Sequence, residues 1–146
     1  METIYEVVRV KQEVKATEKP LVQIVSPDSA VSLVNEYILD EDREILLVLV
    51  LNTKNMVVAV HRCHMGTLDA SIASARDIYK TALMNNARSI IIAHNHPSGI
   101  VQPSEADIAL TETIVEAGQV MGIELLDHII VGWKEGYYSF KQRGMM

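Results

Sequence analysis

A single cysteine, Cys63, stands in a chain of 146 residues, so no internal disulfide can form and a reducing compartment is expected. Aromatic side chains are scarce, with one phenylalanine and one tryptophan. The core is therefore expected to consist of Val, Ile, Leu, Ala and Met, a bias that favours buried strands covered by helices. Positive charge is not in excess. The net charge is -6, which argues against broad binding to duplex DNA through phosphate neutralisation. Long apolar runs are absent as well: Ile45 to Leu51 and Ile90 to Ala93 are far too short to span a membrane. The first ten residues carry Glu2, Glu6 and Arg9 among their apolar side chains and do not form a secretory signal core. A cytoplasmic location without a membrane partner is the expectation.

What is present suits one globular domain over residues 1–146, with its core over about 20–142. Partial alternation predicts an N-terminal strand over 4–10 and a charged loop over 11–19. Ser26-Pro27-Asp28 signals a helix start, and Ala30, Val31, Val34, Tyr37 and Ile38 then recur at helical spacing. The aliphatic run 45–51 reads as a strand buried on both faces, joined by the turn 52–55 to a return strand over 56–61. A helix over 71–86, a short strand over 89–93 and a helix over 104–121 closed by Gly122 follow. Strands over 123–131 and 137–140 end the pattern. The order β-α-β-β-α-β-α-β-β predicts an α/β domain, a mixed sheet flanked by helices in two or three layers.

The chemistry concentrates in Ala93-His94-Asn95-His96-Pro97-Ser98-Gly99 and Pro103-Ser104-Glu105-Ala106-Asp107. His94 and His96 are two apart, so at a strand end their imidazoles point to one side and can share one metal ion. Pro97 and Gly99 turn the chain away. Asp107, one turn into the next helix, can reach back as a third ligand. Two histidines and a carboxylate leave a fourth position for water, the pattern of a catalytic rather than a closed zinc site. Each part also has a plain reading. A lone histidine at a strand end is ordinarily satisfied by hydrogen bonds, and Ser104-x-x-Asp107 fits a capping box. The combination within 14 residues favours the metal site.

His94-x-His96, seven residues, then Ser104-x-x-Asp107 resembles the signature of the JAMM (MPN+) metalloproteases. The longer string through Pro97-Ser98-Gly99 and Pro103 resembles the RadC branch, as do Gly66-Thr67-Leu68, Asn86-Ala87, Thr111 and Leu126-Asp127-His128-Ile129-Ile130. The likeness runs from about Tyr5 to Phe140. It implies a JAMM/cytidine-deaminase-like fold, one zinc ion on His94, His96 and Asp107, and Ser104 as oxyanion support. It also implies Glu44 as the glutamate that hydrogen-bonds the catalytic water. Spacing alone does not separate Glu44 from Glu36, Glu41 or Asp42. The implied activity is hydrolysis of a peptide or isopeptide bond in a protein substrate.

RadC-like chains usually open the helix after Gly-Thr-Leu with Pro-Arg, where this chain has Ala75-Arg76. Larger members also carry an N-terminal helix-hairpin-helix region that contacts DNA, and this sequence is too short for one. A DNA-repair role, with the metal serving a nuclease, is the competing reading. One aspartate without an acidic cluster fits a one-zinc hydrolase better. A noncatalytic metal-containing interaction module is a third. A zinc deaminase is excluded because its His-x-Glu and Pro-Cys-x-x-Cys elements are missing. His61, Cys63 and His64 invite a second metal site but match no ligand pattern, and His128 reads as structural. Exposed strand ends leave room for a homo-oligomer.

Overall fold

The computed structural model describes residues 2–66 and 75–146. Six strands form one mixed sheet in the order β1-β3-β2-β4-β5-β6. The strands are β1 (Val22–Gln23), β2 (Ile45–Leu51), β3 (Met56–Met65), β4 (Ser89–Asn95), β5 (Glu124–Gly132) and β6 (Gly136–Ser139). The helices are α1 (Pro27–Ile38), α2 (Ala75–Met84) and α3 (Glu105–Met121). β4 and β5 are parallel, and every other neighbouring pair is antiparallel.

Alternation along β2 makes this a three-layer arrangement. Leu47, Leu49 and Leu51 pack with Ala30, Val34 and Ile38 of α1, whereas Leu46, Val48 and Val50 pack with Ile78 and Ala82 of α2 and Ile114 of α3. All seven β2 residues are buried, so the strand carries no polar position. No methionine belongs to the buried core among the described residues, contrary to the composition argument. Tyr79 and Phe140 fill the larger spaces instead. Tyr79 is accommodated because its hydroxyl reaches the carbonyls of Ile114 and Ile123, both at 3.2 Å. No helix among the described residues is long and apolar enough to cross a membrane.

Two expectations need correction. The segment 4–10 is not a strand. Ile4, Tyr5, Val7, Val8 and Val10 are largely exposed, and the place at the sheet edge is taken by Val22–Gln23. A β-prone segment without a ladder partner gains neither hydrogen bonds nor burial. β3 also runs past His61 to Met65, because its ladder with β2 continues through a bulge opposite Leu46/Leu47. Smaller differences concern β4, which extends to Asn95 rather than residue 93, and β6, which begins at Gly136. Positions 71–74 of the second predicted helix, and Thr67 and Leu68 of the Gly-Thr-Leu segment, lie outside the described residues.

Candidate metal centre

The carboxyl end of β4 is where the chemistry collects. β2 runs antiparallel to β4 with Leu46 opposite His94, and continuing that register sets Glu44 opposite His96. Asn95 locks this arrangement. Its side-chain oxygen accepts from the Ile45 N–H at 2.7 Å, and its amide donates to the carbonyls of Arg43 at 2.8 Å and Glu41 at 3.3 Å. One buried side chain therefore fixes the approach to β2, and with it Glu44. On the other flank, His96 N–H donates to the Val131 carbonyl of β5.

After His96 the chain turns sharply. Gly99 sits at φ +86, and a Cβ there would come within 2.6 Å of Lys134 Cβ and 2.9 Å of Trp133. Only glycine combines that backbone with that approach. The Trp133 indole N–H donates to the Pro97 carbonyl at 3.0 Å and pins the turn against the end of β5.

The chain returns to the site at α3. Ser104 caps the helix: its hydroxyl oxygen accepts from Asp107 N–H at 3.1 Å, while Ser104 N–H donates to Asp107 Oδ2 at 2.8 Å. The capping box and the ligand cluster are the same residues. The box holds the Asp107 carboxylate with Oδ1 3.1 Å from His94 Nε2 and Oδ2 3.3 Å from His96 Nε2. The two Nε2 atoms are 3.1 Å apart. Ligands about 2.0–2.1 Å from a tetrahedral zinc ion stand about 3.3–3.4 Å from one another, so the donor spacing suits such an ion. His94, His96 and Asp107 together can hold a metal ion; among the described residues they are the one group of three or more His, Cys, Asp or Glu close enough to do so.

Electrostatics agree with that spacing. Burial opposes ionisation of Asp107, but hydrogen bonds from His94 and His96 outweigh it and hold the carboxyl well below its ordinary range. Burial likewise opposes protonation of His96. Its contact with Asp107, its hydrogen bond to the Ile100 carbonyl and the charge of Glu44 prevail and raise its pKa. The site stabilises positive charge at the point where the three ligand atoms meet. His94 and Asp107 are buried, whereas His96 faces a cleft that Glu44, Pro97, Ser98, Ser104, Ala106 and Asp107 also line.

All five residues singled out in the sequence, Glu44, His94, His96, Ser104 and Asp107, therefore lie at one place. Asn95 was overlooked as a positioning residue. Its signal was available, since an amide side chain between two histidines at a strand end must be satisfied once buried. His61, Cys63 and His64 do not join into a ligand group. His61 Nδ1 is 2.7 Å from the Thr81 hydroxyl, and burial, seconded by the charge of Asp77, pushes the Cys63 thiol up to about 11.

Comparison with known proteins agrees with this geometry. The family described as RadC-like JAB domain matches residues 24–145. A UPF0758 protein of Rubrobacter xylanophilus is 45% identical over 123 residues, covering 84% of this chain and 53% of the relative. That of Desulforamulus reducens is 44% identical over 120 residues, covering 82% and 52%. That of Chlorobium chlorochromatii is 47% identical over 107 residues, covering 73% and 48%. The chain thus spans about half the length of the curated relatives it matches. A family match over most of the chain, joined to a His-His-Asp cluster at the end of β4, places this chain in the RadC-like JAB domain family.

Proposed function

We propose that the cleft binds one zinc ion on His94 Nε2, His96 Nε2 and the Asp107 carboxylate, and that the protein hydrolyses a peptide or isopeptide bond. The observation that carries this reading is the convergence of those three atoms at 3.1–3.3 Å beside Glu44 and Ser104. Bound zinc supplies Lewis acidity that makes water nucleophilic near neutral pH.

The chain's own groups supply the rest. Glu44, opposite His96 across the β2–β4 register, takes a proton from the attacking water and passes it to the leaving amine. The Ser104 oxygen already accepts from Asp107 N–H, which leaves its hydroxyl hydrogen available to donate to the substrate carbonyl oxygen as charge develops there. The Asn95 and Trp133 hydrogen bonds hold the two walls of the cleft in place, so little reorganisation accompanies reaction.

The test begins with metal content of the purified protein by elemental mass spectrometry, wild type beside Asp107→Ala. About one zinc per chain, lost in the variant, is expected. Amide cleavage is then followed across a panel of peptide and isopeptide substrates in wild type and Glu44→Gln. Metal-replete wild type that cleaves none of them, or Glu44→Gln that cleaves as well as wild type, would overturn the hydrolytic assignment.

A further inference from the structure

Behind the cluster lies a second buried histidine. His128 of β5 is fully buried, stacked on Phe140 with ring centroids 4.4 Å apart and planes within 4°. Its Nε2 is 3.0 Å from His94 Nδ1, and its Nδ1 meets the hydroxyl of Thr111 on α3. Thr111 in turn donates to the Asp107 carbonyl at 3.0 Å.

These contacts form a chain with a direction. A carbonyl can only accept, so the single hydroxyl hydrogen of Thr111 is committed to Asp107. The Thr111 oxygen is then an acceptor and takes Nδ1–H of His128. With Nδ1–H given to Thr111, the His128 Nε2 lone pair is placed to accept Nδ1–H of His94. With zinc bound, the remaining nitrogen, His94 Nε2, would turn its lone pair to the ion held with His96 and Asp107, in place of the hydrogen bond it gives Asp107 without metal.

We infer that His128, oriented by Thr111, is a positioning residue that sets the tautomer and ring orientation of His94, so that Nε2 is presented to the metal. His96 has a simpler counterpart: its Nδ1 donates to the Ile100 carbonyl at 2.8 Å. The two histidines are prepared by different means, one by backbone and one by a buried side-chain relay that starts four residues after Asp107 on the same helix. Substitutions at Thr111 or His128 therefore act on metal binding without touching the metal.

The inference rests on the metal reading of the cluster, and the experiment separates the two. Zinc dissociation constants are measured by competition with a chromophoric chelator for wild type, His128→Phe, His128→Gln and Thr111→Val, with circular dichroism checking the fold. His128→Phe keeps the stack on Phe140 but removes the acceptor, and zinc affinity is expected to fall about 10- to 100-fold. His128→Gln places an amide oxygen near the lost Nε2 and should restore much of the affinity. Thr111→Val, the milder change, serves if the Phe variant does not fold, and should weaken binding in the same direction. Two-bond 1H–15N correlation on the zinc-loaded wild type should show His94 protonated at Nδ1. His94 protonated at Nε2, or Phe and Val variants that bind zinc like wild type, would sink the relay while leaving the metal site intact. A wild type that binds no zinc would sink both.

Discussion

Two pairs of potential metal ligands with the same spacing sit on the same sheet, on strands separated by β2. His61-x-Cys63 lies on β3, and His94-x-His96 at the end of β4. Strand geometry gives both pairs a common face, yet among the described residues only one becomes a ligand cluster. The β4 pair ends its strand where α3 begins, and the Ser104 capping box delivers a carboxylate to within 3.1–3.3 Å of both rings. The β3 pair meets the hydroxyl of Thr81 and, at Cys63, apolar packing from the α2–α3 side. Ligand spacing is therefore common, and what distinguishes a site is a third donor brought by another element, together with groups that hold the rings in orientation.

The comparison can be broken most severely at that third donor. Asp107→Ala should remove metal from the protein altogether, read as zinc per chain after gel filtration. It also removes one half of the capping box, leaving Ser104 N–H without its acceptor, so thermal denaturation should show a stability loss of about 1–3 kcal/mol from that cause alone. Next in size is Glu44→Gln, which should lower the cleavage rate about 10²–10⁴-fold with metal content unchanged. Loss of metal along with activity would instead make Glu44 part of the ligand set.

Asn95→Ala tests the wall that carries Glu44. Leaving the Ile45 N–H and the Glu41 and Arg43 carbonyls without their partner should cost about 1–3 kcal/mol in urea denaturation. Turnover should fall more than metal affinity. Acidification is a gentler probe. The folded Asp107 pKa lies below its unfolded value, so its contribution to stability is present above the unfolded pKa and is lost as pH falls through the folded one. Metal-free protein should therefore lose stability below about pH 5, and Asp107→Asn should lose less over the same range, by thermal melts at stepped pH. The smallest effect is expected at the other pair. His61→Ala and Cys63→Ser should leave zinc stoichiometry unchanged, and a drop would mean that the β3 pair also binds metal.

Legibility followed the range of the interactions. α3 was readable almost to the residue, because Ser104 and Gly122 are local signals that act through their own turn of helix. β2 was readable because seven consecutive aliphatic residues have no other stable place than the middle of a sheet. The segment 4–10 has comparable β-forming residues but no partner, and partners cannot be read from a strand's own composition. Glu44 illustrates the same limit within the site. Nothing local separates it from Glu41 or Asp42, and resemblance to a family was needed to choose it. The antiparallel pairing of β2 with β4 ends just beyond Glu44, at Leu46 and His94, and Glu44 lines the same cleft as His96.

Taken alone, the sequence determined an aliphatic α/β domain, the caps of its last helix, and a His-x-His and an Asp within reach of one ion. Those properties depend on residue type, period and short spacing. The tertiary structure decided the approach of Glu44, the hold of Asn95 on β2 and the relay from Thr111 through His128 to His94. Each of those depends on contacts between strands and helices far apart in the chain, whose geometry exists only once the sheet has closed around its core.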